Sequence, residues 1–486
     1  MSEQARSQIN THNYEATIGI EVHCQLKTKS KIFCGCKNEF THTPNKNICQ
    51  VCSGQPGVLP ILNKKVVDYA IMLGLATNCK IAQKTDFARK HYFYPDLPKN
   101  YQITQDLNPI CEDGFIQIEL EDGSDKQIRL IRIHIEEDAG KNHHTDAGYS
   151  LVDINRAGTP LVEIVSHPDM KSSYEARAYV MRLHSIIKYL GISDANMEEG
   201  SFRADVNISV KKKTDAKLGQ RVELKNINSF KFIGQAIDYE IERQIQELES
   251  GEKIYQETRL WDRKNQKTIV MRRKEGADDY RYFPEPDLPE IDIDKDWIEC
   301  INKTIPELPG ARIKRFQADF ALPYNDALIL IEDLQLASFF EECCKFSKHS
   351  KTLSNWILRN LLAYLKEHNT EISKTKITAQ LLGELVNAIE SGDINNKVAQ
   401  DVFAEMIETG KSPAEIIKDN GLRQIDSVGD LEAIAKKIIE ANPSEVEKYK
   451  AGNVRLFGFF VGQAMKETQG KANPKLLNDI FQKLLS

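Results

Sequence analysis

The chain has 486 residues, of which 41% are hydrophobic and 28% charged, with a formal net charge of −6. This length predicts about three domains, and the composition excludes a disordered chain, a fibrous chain and a general polyanion binder. No apolar run approaches the roughly 18 residues of a membrane span. Residues 1–16 lack the apolar core of a secretory signal and the arginine-rich pattern of a transit peptide. We therefore expect a folded cytoplasmic protein of bacterial type.

Alternation of apolar and polar side chains is the first structural signal. In residues 18–26 every second side chain is apolar, which predicts a half-buried strand. The same pattern recurs in residues 203–210 and around Val222 and Leu224. Two later segments have the spacing of helices instead: 172–189 and 233–248. Strands and helices mix without strict βαβ order, so we predict an α+β fold for this part of the chain.

The pattern changes at a turn-rich segment with three prolines, residues 282–294, which predicts the exit from the α+β part. Helical spacing follows, with Leu382, Leu385 and Val386 in one apolar stripe and Trp356 and Leu361 in another. We predict four parts: a flexible N-terminus at 1–13, an α+β domain at 14–295, an all-α helical domain at 296–409 and a C-terminal tail domain at 410–486.

Four cysteines form two close pairs, Cys34 with Cys36 and Cys49 with Cys52, separated by twelve residues. Ten cysteines in 486 residues are too few for a disulfide scaffold. Four thiolates at this spacing suit a tetrahedral zinc ion, which would be structural because it leaves no open coordination position. The alternative is four reduced cysteines near a loop.

Acidic side chains gather on the polar faces of the predicted strands. Glu21 and His23 share one face of the first strand, because side chains two residues apart point the same way. Asp205 and Glu223 are placed similarly on later strands. The alternative for any one of these acids is a solvated sheet face.

A third predicted strand, residues 129–135, runs into Glu136, Glu137 and Asp138. It is predicted to bury three isoleucines: Ile131, Ile133 and Ile135. Three consecutive acids are hard to keep ionised without a cation, and oxygen ligands with one imidazole suit magnesium or manganese. Strict alternation turns Glu137 toward the isoleucine face, so its use as a ligand requires a bulge or the end of the strand there.

An aromatic and basic segment, residues 87–95, contains Arg89 and Lys90 and suits a nucleotide or a channel lining, with ordinary packing as the alternative. Arg156 is similarly ambiguous. The chain has no GxxxxGK[ST] loop, no GxGxxG turn after a strand, and no HExxH or GxSxG motif. If ATP is bound, neither a P-loop nor a Rossmann turn binds it.

The set of motifs in their order resembles one family, the B subunits of aspartyl/glutamyl-tRNA amidotransferases. Besides the four cysteines, the resemblance rests on IGIEVHCQL (18–26), PGVLP (56–60), ARKHYFYPDLPKNYQITQ (88–105), HIEEDAGK (134–141), VDINRAGTPLVEIVS (152–166), MEEGSFRADVNIS (197–209), ELKNINSF (223–230), QETR (256–259) and DDYRYFPEPDLP (278–289). It extends from about residue 14 to the end of the chain.

The resemblance implies an ATP-dependent reaction in translation. Such enzymes phosphorylate the side-chain carboxylate of a glutamate on tRNA(Gln) or an aspartate on tRNA(Asn), and ammonia then displaces the phosphate. The resemblance also implies that the α+β domain is a catalytic cradle with the fold of glutamine synthetase and guanidino kinases. Which of the two aminoacyl-tRNAs is the substrate stays open.

The resemblance also assigns residues. The implied magnesium ligands are His23, Glu137 and Glu257. Four acids are implied to line the same pocket: Glu21, Glu136, Asp205 and Glu223. Lys90 and Tyr94 are our hypothesis for lining an ammonia tunnel or the active site, and Arg156 and Arg281 are candidates for contacting ATP.

Ammonia must come from another chain, because no Ser-Ser-Lys amidase segment and no Cys-His glutaminase motif is recognisable here. The resemblance implies a heterotrimer with an amidase A subunit and a small C subunit. It also implies that the helical and tail domains bind tRNA. Residues 448–486 contain seven basic and two acidic side chains, and we prefer Lys466, Lys471 and Lys475 as phosphate contacts, with a solvated helix face as the alternative.

Two other functions compete with this one. A tRNA-binding scaffold with a degenerate pocket is disfavoured because Glu21, Glu137 and Glu257 are all present. A free-standing ligase for a small amino acid is disfavoured because it would not need a helical extension of roughly 190 residues.

Overall fold

The computed structural model describes residues 11–273, 280–422, 427–468 and 472–485. Most of the predicted flexible N-terminus, residues 1–13, therefore lies outside the described residues. The chain divides into two compact units, Met1–Gly310 and Ala311–Ser486. The first unit is rich in strands and the second is helical, so the coarse prediction of an α+β region followed by an all-α region is confirmed.

The described strands all belong to the first unit. They are β1 (Tyr14–Gln25), β2 (Lys80–Ile81), β3 (Lys84–Thr85), β4 (Ala88–His91), β5 (Tyr101–Thr104), β6 (Cys111–Glu112), β7 (Phe115–Glu119), β8 (Asp125–Glu137), β9 (Lys141–His144), β10 (Ser150–Asp153), β11 (Pro160–Ser166), β12 (Phe202–Lys212), β13 (Val222–Lys225), β14 (Glu257–Asp262), β15 (Lys267–Arg273), β16 (Phe283–Pro284) and β17 (Ile291–Asp292).

One large sheet organises the first unit. Its order is β15-β14-β13-β12-β1-β11-β8-β6-β2, with β7 beside β8. β1 pairs antiparallel with both β11 and β12, whereas β13 and β14 run parallel. The predicted alternation on β1 is confirmed, because Ile18, Ile20 and Val22 are at most 1% exposed and belong to the main core. The polar residues between them therefore share the opposite face of the sheet.

Helices of the first unit are α1 (Lys64–Ala76), α2 (Ser173–Leu190), α3 (Phe230–Glu249) and α4 (Lys295–Asn302). α2 begins at Ser172, whose side chain accepts a hydrogen bond from the backbone N–H of Glu175, and it ends at Gly191, where φ is +65°. Ser229 caps α3 in the same way. Apolar residues of both helices join the core with those of β1, so the two helices predicted from spacing are confirmed and cover the apolar face.

The prediction that β8 buries Ile131 is wrong. Ile133 and Ile135 are fully buried, but Ile131 is 42% exposed. The pairing of β8 with β11 shifts register between Val165 and Ser166, opposite Arg132 and Leu130. This irregularity makes Ile131 the extra residue of a bulge, and its side chain turns away from the core.

The turn-rich segment around residues 282–294 returns to the first unit. β16 pairs with β4 and β17 pairs with β3, and Ile293 is buried in the main core. Residues 274–279, just before it, lie outside the described residues, and with them part of the motif at 278–289. The exact domain boundaries stay a prediction.

From Pro309 onward the described chain is helical. The helices are α5 (Pro309–Phe320), α6 (Tyr324–Leu330), α7 (Leu334–Phe346), α8 (Ser350–Trp356), a π-helical turn (Ile357–Leu361), α9 (Leu362–Glu367), α10 (Ala379–Glu390), α11 (Asn396–Thr409), α12 (Pro413–Asp419), α13 (Val428–Ala441), α14 (Pro443–Lys450), α15 (Phe457–Glu467) and α16 (Pro474–Leu485).

Both predicted apolar stripes pack inward. Leu382, Leu385 and Val386 are fully buried on α10, as are Ile357 and Leu361 in the π-helical turn. The last helices have a core of their own, built around Leu431, Phe460 and Phe481. Among the described helices, none is both long enough and apolar enough to span a bilayer.

Candidate active site and metal centres

The polar face of the large sheet brings titratable side chains from four strands into rows. In the first row, His23 on β1 lies between Arg203 on β12 and Glu163 on β11, and Glu163 is in turn opposite His134 on β8. Paired residues of neighbouring strands point to the same face, so the four side chains are neighbours although they come from distant parts of the sequence.

Two histidines and two glutamates meet in this row and just beside it. His23 Nε2 lies 3.4 Å from Glu136 Oε1 and 3.7 Å from Glu163 Oε2. His134 Nε2 lies 3.1 Å from Glu163 Oε2 and 3.8 Å from Glu136 Oε2. His134 and Glu136 are 3% exposed, so these contacts are shielded from solvent. We call these four residues the His–Glu cluster.

Burial and mutual repulsion set the protonation of the His–Glu cluster. Burial, reinforced by the charge of Glu163, raises the pKa of Glu136 to about 8. Burial also lowers the pKa of His23. Burial opposes ionisation of Glu163 as well, but the hydrogen bond from His134 and the nearby imidazoles lower the pKa of Glu163 overall. A second carboxylate charge beside Glu163 is therefore unfavourable in this poorly hydrated place, and a bound cation would favour ionisation of Glu136.

Three members of the cluster can hold a divalent cation. One ligand atom each from His23, Glu136 and Glu163 can be chosen so that all three lie within 4.8 Å of one another. One imidazole nitrogen and two carboxylate oxygens form a hard donor set of the kind that magnesium and manganese accept. The residues present therefore fit a magnesium ion.

A second row of acids continues along the same face. Glu21 lies opposite Asp205, and its side chain accepts a 2.8 Å hydrogen bond from Asn207. Lys225 Nζ lies 2.8 Å from Asp205 and 3.2 Å from Glu223. Burial, followed by the charges of neighbouring carboxylates, raises the pKa of Glu21. Although burial opposes it, the two acids raise the pKa of Lys225, so this ammonium balances part of the negative charge.

The structure does not bring Glu137 or Glu257 into the His–Glu cluster. Pairing of β8 with β11 is regular from Ile133 to Glu137, so Glu137 points away from Glu136 and bonds Lys99 and the backbone N–H of Ile103, the latter at 2.9 Å. No bulge turns it back, although β8 ends there.

Glu257 is paired in register with Val222, a core residue, and therefore lies on the face opposite that of Glu223. It is 5% exposed and bonds Arg259. Arg259 also donates to the hydroxyl and carbonyl oxygens of Thr268, at 2.8 and 3.0 Å. These contacts form a buried polar network behind the sheet.

Two residues proposed from the sequence to line an ammonia tunnel or the active site, Lys90 and Tyr94, differ in their exposure. Lys90 is half-buried on β4, 4.8 Å from the ring of Tyr280. Burial disfavours its charge, but neighbouring tyrosines, Glu136 and Glu163 raise its pKa overall. Tyr94 is 51% exposed.

Two arginines named as candidate ATP contacts are also placed. Arg156 donates to the carbonyl oxygens of Ala139 and Gly140 at 2.8 and 2.7 Å. The guanidinium of Arg281 lies 5.8 Å from the ring of Phe93.

The four cysteines predicted to bind zinc do come together. Their sulfur atoms all lie within 4.8 Å of one another, and the Sγ atoms of Cys49 and Cys52 are 3.9 Å apart. Zinc–sulfur bonds of 2.3 Å in a tetrahedron require sulfur atoms about 3.8 Å apart, so the geometry fits zinc. A hydrogen bond from Cys34 lowers the pKa of Cys52 to about 4, helped by the backbone N–H of Cys49 and the ammonium of Lys31.

Two cavities lie along β1, one toward each end of its polar face. One of about 370 Å³ is lined by Gln25 and Lys27, and one of about 250 Å³ by Gly19 and Glu21. His23 comes between Glu21 and Gln25 on the same face, so one cavity lies to each side of His23 along β1, although no cluster residue lines either of them.

Comparison with known proteins identifies the family to which this chain belongs. Residues 16–299 match the family model of the GatB/GatE catalytic domain, and residues 338–485 match that of the GatB domain. The chain belongs to the GatB/GatE family. Its polar sheet face with the His–Glu cluster lies within the matched catalytic domain of this family.

Relatives in the GatB/GatE family match almost the whole chain. A protein of Geotalea uraniireducens, named as the B subunit of an aspartyl/glutamyl-tRNA(Asn/Gln) amidotransferase, is 52% identical over 97% of this chain and 99% of its own length. Proteins of the same name from Thermodesulfovibrio yellowstonii and Clostridium tetani are each 51% identical, over 97% and 96% of this chain and 99% and 98% of their own length. The family resemblance stated from the motifs is therefore confirmed.

Sequence reasoning missed two members of the His–Glu cluster of this GatB/GatE chain, Glu163 and His134. A signal was present for both. Glu163 is the polar residue between Val162 and Ile164 in an apolar strand, the same alternation that singled out Glu21. His134 precedes the predicted carboxylates on their own strand, but only the pairing of β8 with β11 places it beside Glu163.

Proposed function

We propose that the chain is the B subunit of a tRNA-dependent amidotransferase that acts in translation. It phosphorylates the side-chain carboxylate of Glu-tRNA(Gln), Asp-tRNA(Asn) or both with ATP, and ammonia then displaces the phosphate to give the amide. The observation that carries this proposal is the His–Glu cluster on the sheet of a chain whose relatives of the same length bear that enzyme's name.

The chemistry requires activation of the substrate before amidation. A carboxylate is a poor acyl donor because oxide is a poor leaving group, whereas the phosphate of an acyl phosphate leaves readily. The phosphoryl step needs groups that neutralise charge on the phosphate oxygens. The two cavities along β1 provide space on either side of His23 for ATP and for the aminoacyl end of the tRNA.

Within this proposal, His23, Glu136 and Glu163 hold a magnesium ion, which supplies positive charge to the phosphate oxygens when it is bound. His134 fixes the orientation of Glu163 through their 3.1 Å contact, as a residue behind a metal ligand would. Glu137 and Glu257 stay predicted ligands from the resemblance, although their side chains bond Lys99 and Arg259.

The second row supports substrate binding. Glu21, Asp205 and Glu223, with Lys225 between the latter two, extend the charged face beside the ion. We assign Lys90, whose pKa the charges of Glu136 and Glu163 help to raise, to the ammonia route or the active-site lining, together with Tyr94. Arg156 and Arg281 stay candidates for ATP contacts.

The cysteine site is proposed to hold a structural zinc ion, because four thiolates close its coordination. The α+β domain at 14–295 is proposed to be a cradle of the glutamine synthetase and guanidino kinase type. A helical domain at 296–409 and a tail domain at 410–486 would then complete the chain.

Two kinds of partner are proposed. An amidase A subunit supplies ammonia from glutamine and a small C subunit completes a heterotrimer, because no glutaminase motif is recognisable in this chain. The tail binds tRNA phosphates through Lys466 and Lys475, while the third lysine of this prediction, Lys471, lies outside the described residues. Neutralising these lysines should weaken tRNA binding and flatten its salt dependence in filter binding, whereas an unchanged salt slope would return them to the solvated-surface alternative.

The test is conversion of [14C]Glu-tRNA(Gln) to Gln-tRNA(Gln) by the chain assembled with its partner subunits. Ammonium chloride replaces glutamine, so the assay isolates the chemistry assigned to this chain. Wild type should convert the substrate in the presence of ATP and magnesium, and Glu136→Gln should not. Glu15→Gln is the control, because Glu15 lies on β1 of the same sheet and pairs with Lys171 instead of a cluster residue. Failure of wild type, with tRNA still bound, would favour the scaffold alternative.

A further inference from the structure

Arg203 on the polar face has an unsatisfied donor close to the His–Glu cluster. It lies directly opposite His23 in the pairing of β1 with β12, and its side chain is 38% exposed. Its Nη2 donates to Asp138 Oδ2 at 3.2 Å, and its buried Nε has no acceptor among the described residues. Buried donors are nearly always hydrogen-bonded in folded proteins, so this Nε is a donor that a ligand oxygen or a water molecule can satisfy.

Other cations near the cluster differ from this guanidinium. Lys99 is bonded to Glu137, and Lys225 lies between two carboxylates. Arg156 donates to two backbone carbonyl oxygens, and its Nε also lies 3.5 Å from Asp138 Oδ2. Lys90 offers a point charge over an aromatic ring. Arg203 differs from them because its planar guanidinium includes a buried donor, Nε, without an acceptor among the described residues.

Asp138 holds this guanidinium in place. It is 5% exposed, and its backbone N–H donates to the carbonyl oxygen of Thr159 at 2.8 Å. Its Oδ1 accepts from the backbone N–H of Ala139 at 3.0 Å, and its Oδ2 accepts from Gln25 Nε2 at 2.8 Å as well as from Arg203. A carboxylate fixed at both oxygens in this way restricts the rotamers of the arginine that it binds.

We propose that Arg203 binds the phosphoryl group during its transfer from ATP to the substrate carboxylate, and that Asp138 is the positioning residue for Arg203. This inference rests on the function proposed above and names a catalytic residue that the motif resemblance did not assign. A guanidinium suits the role because its planar donors match two phosphate oxygens at once and its charge does not depend on pH. Its place beside His23 puts it next to the proposed magnesium ion.

The step is a phosphoryl transfer without a redox change. A carboxylate oxygen of the substrate forms a bond to the γ-phosphorus, and the bond from that phosphorus to the oxygen bridging to the β-phosphate breaks. ADP leaves with the electron pair of the broken bond, and no proton moves to or from Arg203. The guanidinium acts only by donating hydrogen bonds to oxygens of the transferring group.

Nucleotide binding to the assembled complex tests the contact without turnover. ATPγS and ADP differ by the group that Arg203 is proposed to touch, so Arg203→Ala should weaken ATPγS binding about tenfold or more and leave ADP binding nearly unchanged. Asp138→Asn should weaken ATPγS binding less. Arg129→Ala is the matched control, because Arg129 is an exposed arginine of the same sheet paired with Asp169. Equal loss of affinity for both nucleotides, or none, would overturn the inference.

Kinetics with added guanidinium separate a catalytic contact from a structural one. Arg203→Ala should lower kcat of ammonia-dependent conversion about 10²–10³-fold. Millimolar guanidinium should restore part of this loss, since a free cation can occupy the vacated place, and should not stimulate wild type or Arg129→Ala. Arg203→Lys should recover less than guanidinium does, because lysine lacks the planar donors.

The outcomes also distinguish this inference from the proposed function. If wild type converts Glu-tRNA(Gln) and Arg203→Ala matches it, the assignment of Arg203 is wrong and the proposed function stands. If wild type itself converts nothing and hydrolyses no ATP, the proposed function is wrong and the inference falls with it. If Arg203→Ala is impaired but guanidinium never rescues it and both nucleotides still bind as in wild type, Arg203 does not contact the phosphoryl group.

Discussion

The two candidate metal centres of this chain are built on different kinds of backbone. The cysteine site takes its ligands from the loop between β1 and α1, whereas the His–Glu cluster takes its ligands from three adjacent strands of one sheet. Strands paired on both sides hold side chains without help from an ion. A loop without such pairing depends on the ion for its shape, so one centre should serve chemistry and the other stability.

The strand-borne centre should tolerate the loss of a ligand without unfolding. His23→Ala removes one ligand from β1 and should lower ammonia-dependent conversion about 10²–10³-fold, because charge stabilisation of the phosphoryl group is lost. Thermal unfolding of the complex should stay within a few degrees of wild type, because Ile20 and Val22 keep β1 in the core. A large drop in thermal stability with intact activity would reverse the contrast between the two centres.

At the cysteine site, which we call the loop centre, loss of a ligand should lower stability more than activity. Cys49→Ala should abolish binding of one zinc ion per chain, measured by metal analysis, and destabilise the loop by about 4 kcal/mol. Limited proteolysis should then cut between residues 34 and 56, while hydrogen exchange in β1 stays slow. The variant should keep most of its conversion activity at low temperature. Loss of activity without new cleavage in the loop would mean that the cysteine site takes part in chemistry.

Glu257 has two competing roles. The family resemblance predicts a magnesium ligand, whereas in the structure Glu257 bonds Arg259 behind the sheet. Glu257→Ala leaves a buried arginine without this partner and should destabilise the first unit by about 3 kcal/mol in denaturant unfolding. The magnesium concentration that half-saturates the remaining activity then tests whether Glu257 is also a magnesium ligand. A raised requirement supports Glu257 as a ligand, and an unchanged requirement removes it from the ligand set. Asp262→Asn, at the far end of the same strand, is the control for disturbance of β14.

Local patterns were enough to predict much of this arrangement, because they reflect local physics. Alternation on β1 and β12 placed Glu21, His23 and Asp205 on a common polar face, and cysteine spacing alone predicted the loop centre. The capped helices α2 and α3 followed from spacing in the same way.

What the sequence left undetermined depends on which strands are neighbours. β11 begins more than a hundred residues after β1 but pairs with it, and β8 pairs with β11, so the meeting of Glu163 with His23 requires the pairing itself. The exposure of Ile131 depends on a register shift opposite β11, and the face occupied by Glu257 depends on its parallel pairing with β13. No local pattern contains these facts.

Lys31 gives the smallest expected effect and the most specific one for the loop centre. A zinc ion with four thiolates has a net charge of −2, and burying this charge is unfavourable without a counter-ion. Lys31 is 1% exposed and its Nζ lies 3.6 Å from Cys52 Sγ, so it would supply that counter-charge when zinc is bound. Lys31→Met keeps the apolar stem and removes the charge, and it should speed zinc release to a chelating dye about tenfold. Lys37→Met, in the same loop but 74% exposed, should release zinc at the wild-type rate. Equal rates for all three proteins would mean that the buried ammonium does not stabilise the thiolates, and the loop centre would then owe its stability to coordination geometry alone.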